Sequence, residues 1–298
     1  MKKKEVLILI GIVLVFCTGA FSLMTKTISK AASTISSVAF SKAGRGEIVE
    51  DTVDLAKFKE LKIDVASMNV YVEQGDDYKL EYRVYEDYIP KVEEKGDELE
   101  IRQPSHNGIV FHLGSWFDEE EQYYKLTVPK DAGALDVDLE ASSGLISVEN
   151  IDMAGKIEIS SGEVKLDNIE GEKLKLKASS GDINLENLNV DELDFKLTSG
   201  DLKAYKCDTK ALDAHMTSGN MDLDEIKFDS ANFKMTSGKI DAHVVGNSKD
   251  YSYDLRSTSG DMRVDGKTYD HDFKSGDDKD NRISVDMTSG ELDISFSN

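Results

Sequence analysis

Proline is nearly missing from this chain, three in 298 residues, which excludes a proline-rich linker or stalk. Cysteine is as scarce. Cys17 lies in an apolar stretch and Cys207 stands alone in the body, so no internal disulfide framework is expected. The five histidines, His106, His112, His215, His243 and His271, share no catalytic or metal-ligand spacing. Positive charge is also short: 36 Lys and Arg stand against 58 Asp and Glu, a net charge of −22. The deficit is uneven, about +6 over the first 46 residues and about −28 over the rest. A body of that sign repels phosphate backbones, so no nucleic-acid partner is expected. It also repels anionic lipid and wall polymers, except where a local basic patch or bound cations intervene.

What is present begins at the N-terminus. Lys2, Lys3 and Lys4 precede an uncharged run from Val6 to Met24. Nineteen such residues rise about 28 Å as a helix, close to the hydrocarbon thickness of a bilayer. The run is longer than the apolar region of most cleaved signal peptides. A lipoprotein reading at Cys17 is disfavoured by the bulky Phe16 before it. Residues 1–24 are therefore expected to be one transmembrane helix that anchors the protein in the membrane. The lysine cluster favours a cytoplasmic N-terminus and an extracytoplasmic body. Residues 25–46, rich in Ser and Ala, read as a spacer.

From residue 142 onward the chain repeats itself, which decides the fold class. The segments SSGLISVENI, SSGEVKLDNI, SSGDINLENL, TSGDLKAYKC, TSGNMDLDEI, TSGKIDAHVV, TSGDMRVDG and TSGELDIS recur. Their glycines are Gly144, Gly162, Gly181, Gly200, Gly219, Gly238, Gly260 and Gly290. The step between them is eighteen or nineteen as far as Gly238, lengthens to Gly260, and is longest between Gly260 and Gly290. Apolar residues stand two and four places after every glycine, as in Ile183 and Leu185, and offsets of three, five and seven before it give apolar sets such as Leu193, Phe195 and Leu197. Period two over five residues is the strand signal, and the inward parity switches across Ser-Gly, so a bend sits there. A further apolar residue seven places on (Ile151, Ile169, Leu188, Cys207, Ile226, Val245) is expected to plug the far corner. One repeat offers too few inward side chains to offset the entropy of ordering itself, so repeats must stack. The pattern predicts an all-β fold, a β-solenoid of coils of about nineteen residues over 131–298. The serines before the glycines (Ser180, Ser199, Ser218, Ser237) share the inward parity and are expected to form a buried ladder.

Residues 47–130 read as an irregular β cap. FKELKIDVASMNVYVEQGDD resembles a decayed repeat with Met68 in the glycine's place, and KLEYRVY, DELEIRQ, GIVFHL and YYKLTVP are strand-like. Asp265–Arg282, with six aspartates, breaks the last period and is expected to be a loop. It does not fit an EF-hand, since Lys274 falls where a fifth-position ligand should stand. No metal site and no cofactor is expected. The aromatic pair Trp116-Phe117 before the acidic run 118–121 reads as a hairpin tip whose aromatics pack on the cap, with a partner contact as the alternative.

The tandem [ST]-[ST]-G-[DE]-[ILV]-x-[ILV] units behind one apolar N-terminal segment resemble the bacterial "putative adhesin" β-strand-repeat family, a domain of unknown function. The resemblance covers about residues 47–298. It implies a Gram-positive envelope protein, in some cases encoded beside envelope-stress signalling systems. The family carries no agreed catalytic residues, so it implies none here.

Outward positions vary from coil to coil (Glu163, Asp182, Asp201, Asn220, Lys239), which argues against the convergent acids of a polysaccharide-cutting β-helix enzyme. The exception is a column four residues before the glycine: Lys177, Lys196, His215, Lys234 and Arg256. Two places later every repeat has a hydroxyl: Ser179, Thr198, Thr217, Thr236, Thr258. Two places earlier stand Lys175, Asp194, Asp213, Asn232 and Asp254. Stacked like charges repel, so the column needs a reason. It is either a face salt-bridged to those aspartates or a stripe that binds a polyanion or acidic partner. The expected function is a membrane-anchored, extracytoplasmic, non-catalytic interaction module of the envelope. A structural stalk without a ligand is the first alternative, and a carbohydrate-active enzyme the second.

Overall fold

The computed structural model describes residues 47–104, 121–269, 272–276 and 279–297. The expected anchor, the spacer, GIVFHL and the Trp116-Phe117 tip lie outside them. The described residues are β-strand joined by turns and three short 3-10 segments, and no helix among them is long and apolar enough to cross a membrane.

Alternation becomes pairing at the repeat's own period. The long extended segments β10 (Met153–Ser199) and β11 (Asp201–Val245) wind round corners rather than running straight, and they pair in parallel nineteen residues out of step. Three ladders form per coil. Ile183–Glu186 lies on Leu202–Tyr205, Leu188–Val190 on Cys207–Thr209, and Glu192–Leu197 on Ala211–Met216. Before them, β8 (Leu135–Ser143) and β9 (Leu145–Glu149) pair with the start of β10 at an offset of eighteen, as the shorter first spacing requires. The solenoid-like core is the row of inward side chains, among which Ile183, Leu202, Leu193 and Phe195 are at most 1% exposed. The far-corner plugs Ile151, Ile169, Leu188, Cys207 and Ile226 are all buried. Val245 is not: the chain leaves the coil at Gly246, and Val245 stays 39% exposed.

Two corners of each coil have distinct chemistry. At the first, glycine sits over glycine. A Cβ on Gly200, whose φ is +127°, would fall 2.0 Å from the carbonyl oxygen of Gly181 one coil below. The bend swings the preceding residue outward, so Ser180, Ser199, Ser218 and Ser237 are exposed and the expected buried serine ladder does not exist. At the second corner the backbone is left-handed: Asn150, Asn168 and Asn187 have φ between +54° and +57°. Asparagine tolerates this region, and Asn168 Nδ2 donates to Asn150 Oδ1 at 2.6 Å. Lys206 and Glu225 occupy the same corner of later coils at φ +55° and +50° without that tolerance.

The N-terminal end closes as the decayed repeat suggests. β2 (Glu60–Ser67) and β3 (Asn69–Gly75) stack in parallel under β8 and β9, and Met68 takes the glycine's place under Gly144. Among the described residues, no further glycine corner lies below Met68. The side-chain oxygen of Gln103 instead accepts from the Ala66 and Ser67 backbone N–H groups at 2.7 and 3.0 Å. β6 (Glu98–Arg102) and β7 (Tyr123–Pro129) add the last parallel rungs. The antiparallel β5 (Lys91–Lys95), β4 (Lys79–Tyr85) and β1 (Ile48–Asp54) then cover them.

The C-terminal end departs from sequence order. β15 (Asn281–Ser297) pairs with β11 on one side and with β12 (Tyr251–Val264) on the other, both in parallel. The glycine column therefore reads Gly219, Gly238, Gly290, Gly260. The expected loop between Asp265 and Arg282 is instead a second cap. β13 (Lys267–Tyr269) and β14 (Asp272–Ser275) run antiparallel to β12 and cover its outer edge. Its aromatics pack there: Tyr253 on Phe273 at 6.4 Å and Tyr269 on Phe273 at 3.9 Å. An uncovered parallel edge would invite another strand, which explains why the period is spent on a cap.

Two expectations test this packing. Leu185 is 3% exposed, and Leu185→Asp, which buries an unpaired carboxylate at a cost of several kcal/mol, should abolish the cooperative thermal transition. Asn184→Ala, one residue away and pointing outward, should cost under about 1 kcal/mol; equal tolerance at the two positions would refute the inward assignment. At the left-handed corner, Lys206→Asn and Glu225→Asn should each raise stability by roughly 0.5–1 kcal/mol in denaturant titrations.

Candidate functional site

The wall that precedes the glycine corner carries the basic column. Its strands are the Glu192–Leu197 type of ladder, whose alternate residues point inward to the core, so Lys196 and its equivalents must point to solvent. Lys196 pairs directly with His215. Lys177, Lys196, His215 and Lys234 line one groove of about 530 Å³ with the hydroxyl residues Ser179, Thr198, Thr217 and Thr236. The far end of the groove is lined by Asp286 and Thr288 of β15. Here the structure corrects the sequence expectation. Arg256 is not on the coil next to Lys234, because β15 lies between them: Lys234 pairs with Asp286, and Asp286 with Arg256. The column reads Lys177, Lys196, His215, Lys234, Asp286, Arg256. In the other direction it continues through Glu158, Glu140 and Asp64, so the wall is acidic, then basic, then mixed.

The expected salt-bridged face forms in part. Arg256 is held by Asp254, with Nε on Oδ1 and Nη2 on Oδ2 both at 3.1 Å. Lys177 Nζ lies 3.4 Å from Glu158, a carboxylate also 3.4 Å from Lys156. His215 Nε2 lies 2.9 Å from Asp213 Oδ1 but is out of line for a hydrogen bond. Asp213 in turn accepts from Asn232 Nδ2 at 2.8 Å. Lys196 and Lys234 have no carboxylate within ion-pairing distance among the described residues, although Asp194 and Asp286 are their near neighbours. The centre of the stripe is thus two free ammonium groups flanking one imidazole, above a row of hydroxyls.

The wall after the glycine has the opposite balance. A groove of about 550 Å³ there is lined by Glu149, Asp167, Glu186, Asp222 and Asp224, with Lys165, Lys203 and Tyr205 among them. Part of that acidity is structural, a role that sequence reasoning missed. After two of the glycines the next residue accepts from the following coil's backbone: Asp182 Oδ1 from Asp201 N–H, and Asp201 Oδ1 from Asn220 N–H, each at 3.1 Å. The recurrence of Asp, Glu or Asn directly after Ser-Gly was the available signal. Among the described aspartates of the 265–282 segment, Asp265 accepts from Phe296 N–H at 3.0 Å, and Asp272 lies opposite Arg256. Glu121 accepts from Tyr71 Oη at 2.8 Å. No group of three or more His, Cys, Asp or Glu among the described residues is placed to hold a metal ion.

Cys207 is 1% exposed, and burial pushes its thiol up to about 11. In a Cys17→Ser variant, aromatic disulfide reagents at pH 8 should leave the native protein unmodified and label one thiol only after unfolding; fast native-state labelling would remove Cys207 from the core.

Solved structures similar to this chain include a "putative adhesin" from Parabacteroides merdae, 14% identical with a TM-score of 0.48, covering 86% of this chain and 98% of that one. A "putative adhesin" from Bacteroides fragilis is 13% identical with a TM-score of 0.43, covering 84% and 97%. A "putative lipid binding protein" from Parabacteroides distasonis is 15% identical with a TM-score of 0.41, covering 86% and 98%. No curated protein matches the chain. The family model described as Toastrack DUF4097 matches residues 58–295, from the decayed first repeat to the last strand, and the chain belongs to that family.

Proposed function

We propose that this Toastrack domain is a non-catalytic binding module that takes a linear polyanion in the basic groove, held outside the cytoplasm by an N-terminal membrane anchor. The observation that carries the reading is the pair of unpaired ammonium groups, Lys196 and Lys234, set in a groove on a body of net charge about −28. Carboxylates are abundant enough to neutralise every base on this wall, and they do so for Arg256 and Lys177. Leaving the central lysines free costs self-repulsion with no gain in solubility, and an anionic ligand removes that cost. The hydroxyl row supplies neutral donors beside the charges, as phosphate and carboxylate recognition requires.

Support for a non-catalytic role is local. His215 sits beside Asp213, and its Nε2 makes no hydrogen bond among the described residues, whereas an activated hydroxyl needs a base bonded to it. The anchor rests on the uncharged run Val6–Met24 behind three lysines, and the envelope setting on the same segment. An anionic wall polymer is the ligand class such a setting offers.

Retention on immobilised linear polyanions should weaken linearly with the logarithm of salt concentration. Lys196→Glu/Lys234→Glu should abolish that retention while circular dichroism and the thermal midpoint change little, since exposed charges contribute under about 1 kcal/mol each. If the double variant instead loses stability and the wild type binds no polyanion at low salt, the column serves only to balance charge.

A further inference from the structure

The groove is finite, and its ends are made by carboxylates. From Lys177 to Lys234 there are three coil steps, about 14 Å at the usual strand spacing. Beyond Lys234 stands Asp286, and beyond Lys177 stands Glu158. The two ends differ. Glu158 is shared by Lys156 and Lys177, which spend its charge. Asp286 is exposed and forms no ion pair among the described residues, although Lys234 and Arg256 are its direct partners in the sheet. Arg256 is turned to Asp254 and does not screen it. Asp286 reaches this position only because β15 inserts out of sequence order. With the coils stacked in chain order, Lys234 would adjoin Arg256 and the basic run would extend one coil further before it met Asp286.

Resting on the polyanion reading above, we infer that Asp286 is a specificity-determining residue that sets the length of anionic segment the groove takes. A ligand whose charges span no more than those three coil steps fits between the two carboxylates. A longer anionic run must place a negative group beside Asp286, at roughly one strand spacing. Two unit charges about 5 Å apart in water repel by an amount equivalent to roughly fourfold in affinity. The site therefore selects a short anionic stretch, such as the charged segment of a polymer with spaced phosphates or carboxylates. It does not favour a uniformly charged chain running the whole wall.

Linear inorganic polyphosphates of graded length serve as the probe, titrated at fixed moderate salt against the full chain in detergent. Affinity of the wild type should rise with chain length and level off once the anion spans Lys177 to Lys234. Asp286→Ser and Asp286→Asn should tighten binding of chains beyond that length by roughly fourfold and move the plateau to longer chains, leaving the shortest chains unaffected. Asp222→Ser removes an equal charge from the wall beyond the glycine corner and should leave the plateau where it is. An unchanged plateau in both Asp286 variants, with wild-type binding intact, overturns the assignment and leaves the polyanion reading standing. A plateau moved equally by Asp222→Ser also overturns it, since bulk charge would then be responsible. Absence of wild-type binding at every length overturns both. Asp286 is exposed, and an unaltered circular dichroism spectrum confirms that the variants are folded.

Discussion

Each coil of this protein must settle its Ser-Gly corner directly against the corner below it, and the remaining architecture follows from that contact. A methyl group at Gly200 would stand 2.0 Å from a backbone oxygen, so the column admits no side chain where another coil lies beneath. Close approach at the corner brings the flanking strands to hydrogen-bonding distance. That in turn places Leu185 beside Ala204 of the next coil and Asp182 within reach of the Asp201 N–H group. Met68 is the informative exception. It takes the same place at a corner with no glycine corner described beneath it, and the side chain of Gln103 supplies the acceptor that a further coil would have provided.

Stacking at this fixed step converts a one-dimensional pattern into a surface. A residue type repeated every nineteen positions becomes a line of like groups about 4.8 Å apart. Such a line is favourable for hydroxyls, tolerable for asparagines that bond to one another, and unfavourable for charges. The wall before the glycine resolves its charges unequally: carboxylates quench the column at both ends and leave the middle open. The binding proposal depends on that asymmetry rather than on the number of lysines.

Much of this is readable from the residues. Inward parity at Ile183, Leu185, Leu193, Phe195 and Leu197 follows from period two alone, and the stack of glycines follows from their spacing. The clustering of Lys177, Lys196, His215 and Lys234 follows from both. What is not legible depends on backbone geometry or on topology. Ser199 falls in the interior only if alternation is carried through the bend, and the positive φ at that bend turns it out. Asp182 and Asp201, each directly after a glycine, look like free surface positions because the partner of each is a backbone N–H group in another coil. The order Gly238, Gly290, Gly260 leaves only an irregular spacing as its trace. The long interval between Gly260 and Gly290 is equally compatible with a loop, and nothing in β12 or β15 alone says which one stacks on β11. Val245 misleads in the same way: its offset is that of a plug, but the chain departs one residue later.

The inserted strand has a consequence for how the molecule is made. Coils up to Gly238 can dock one after another as the polypeptide emerges, each on a template already complete. β12 then appears with no neighbour, since the surface it needs belongs to β15, which follows it in the chain. Until that strand arrives, the growing stack ends in an open parallel edge, and β12 with its hairpin dangles from the Gly246–Asp250 turn. Assembly is therefore vectorial for most of its course and non-vectorial at its close. The final step fills a slot between two pre-existing rungs, and it binds the termination of the stack to the completion of the chain segment that bears Asp286.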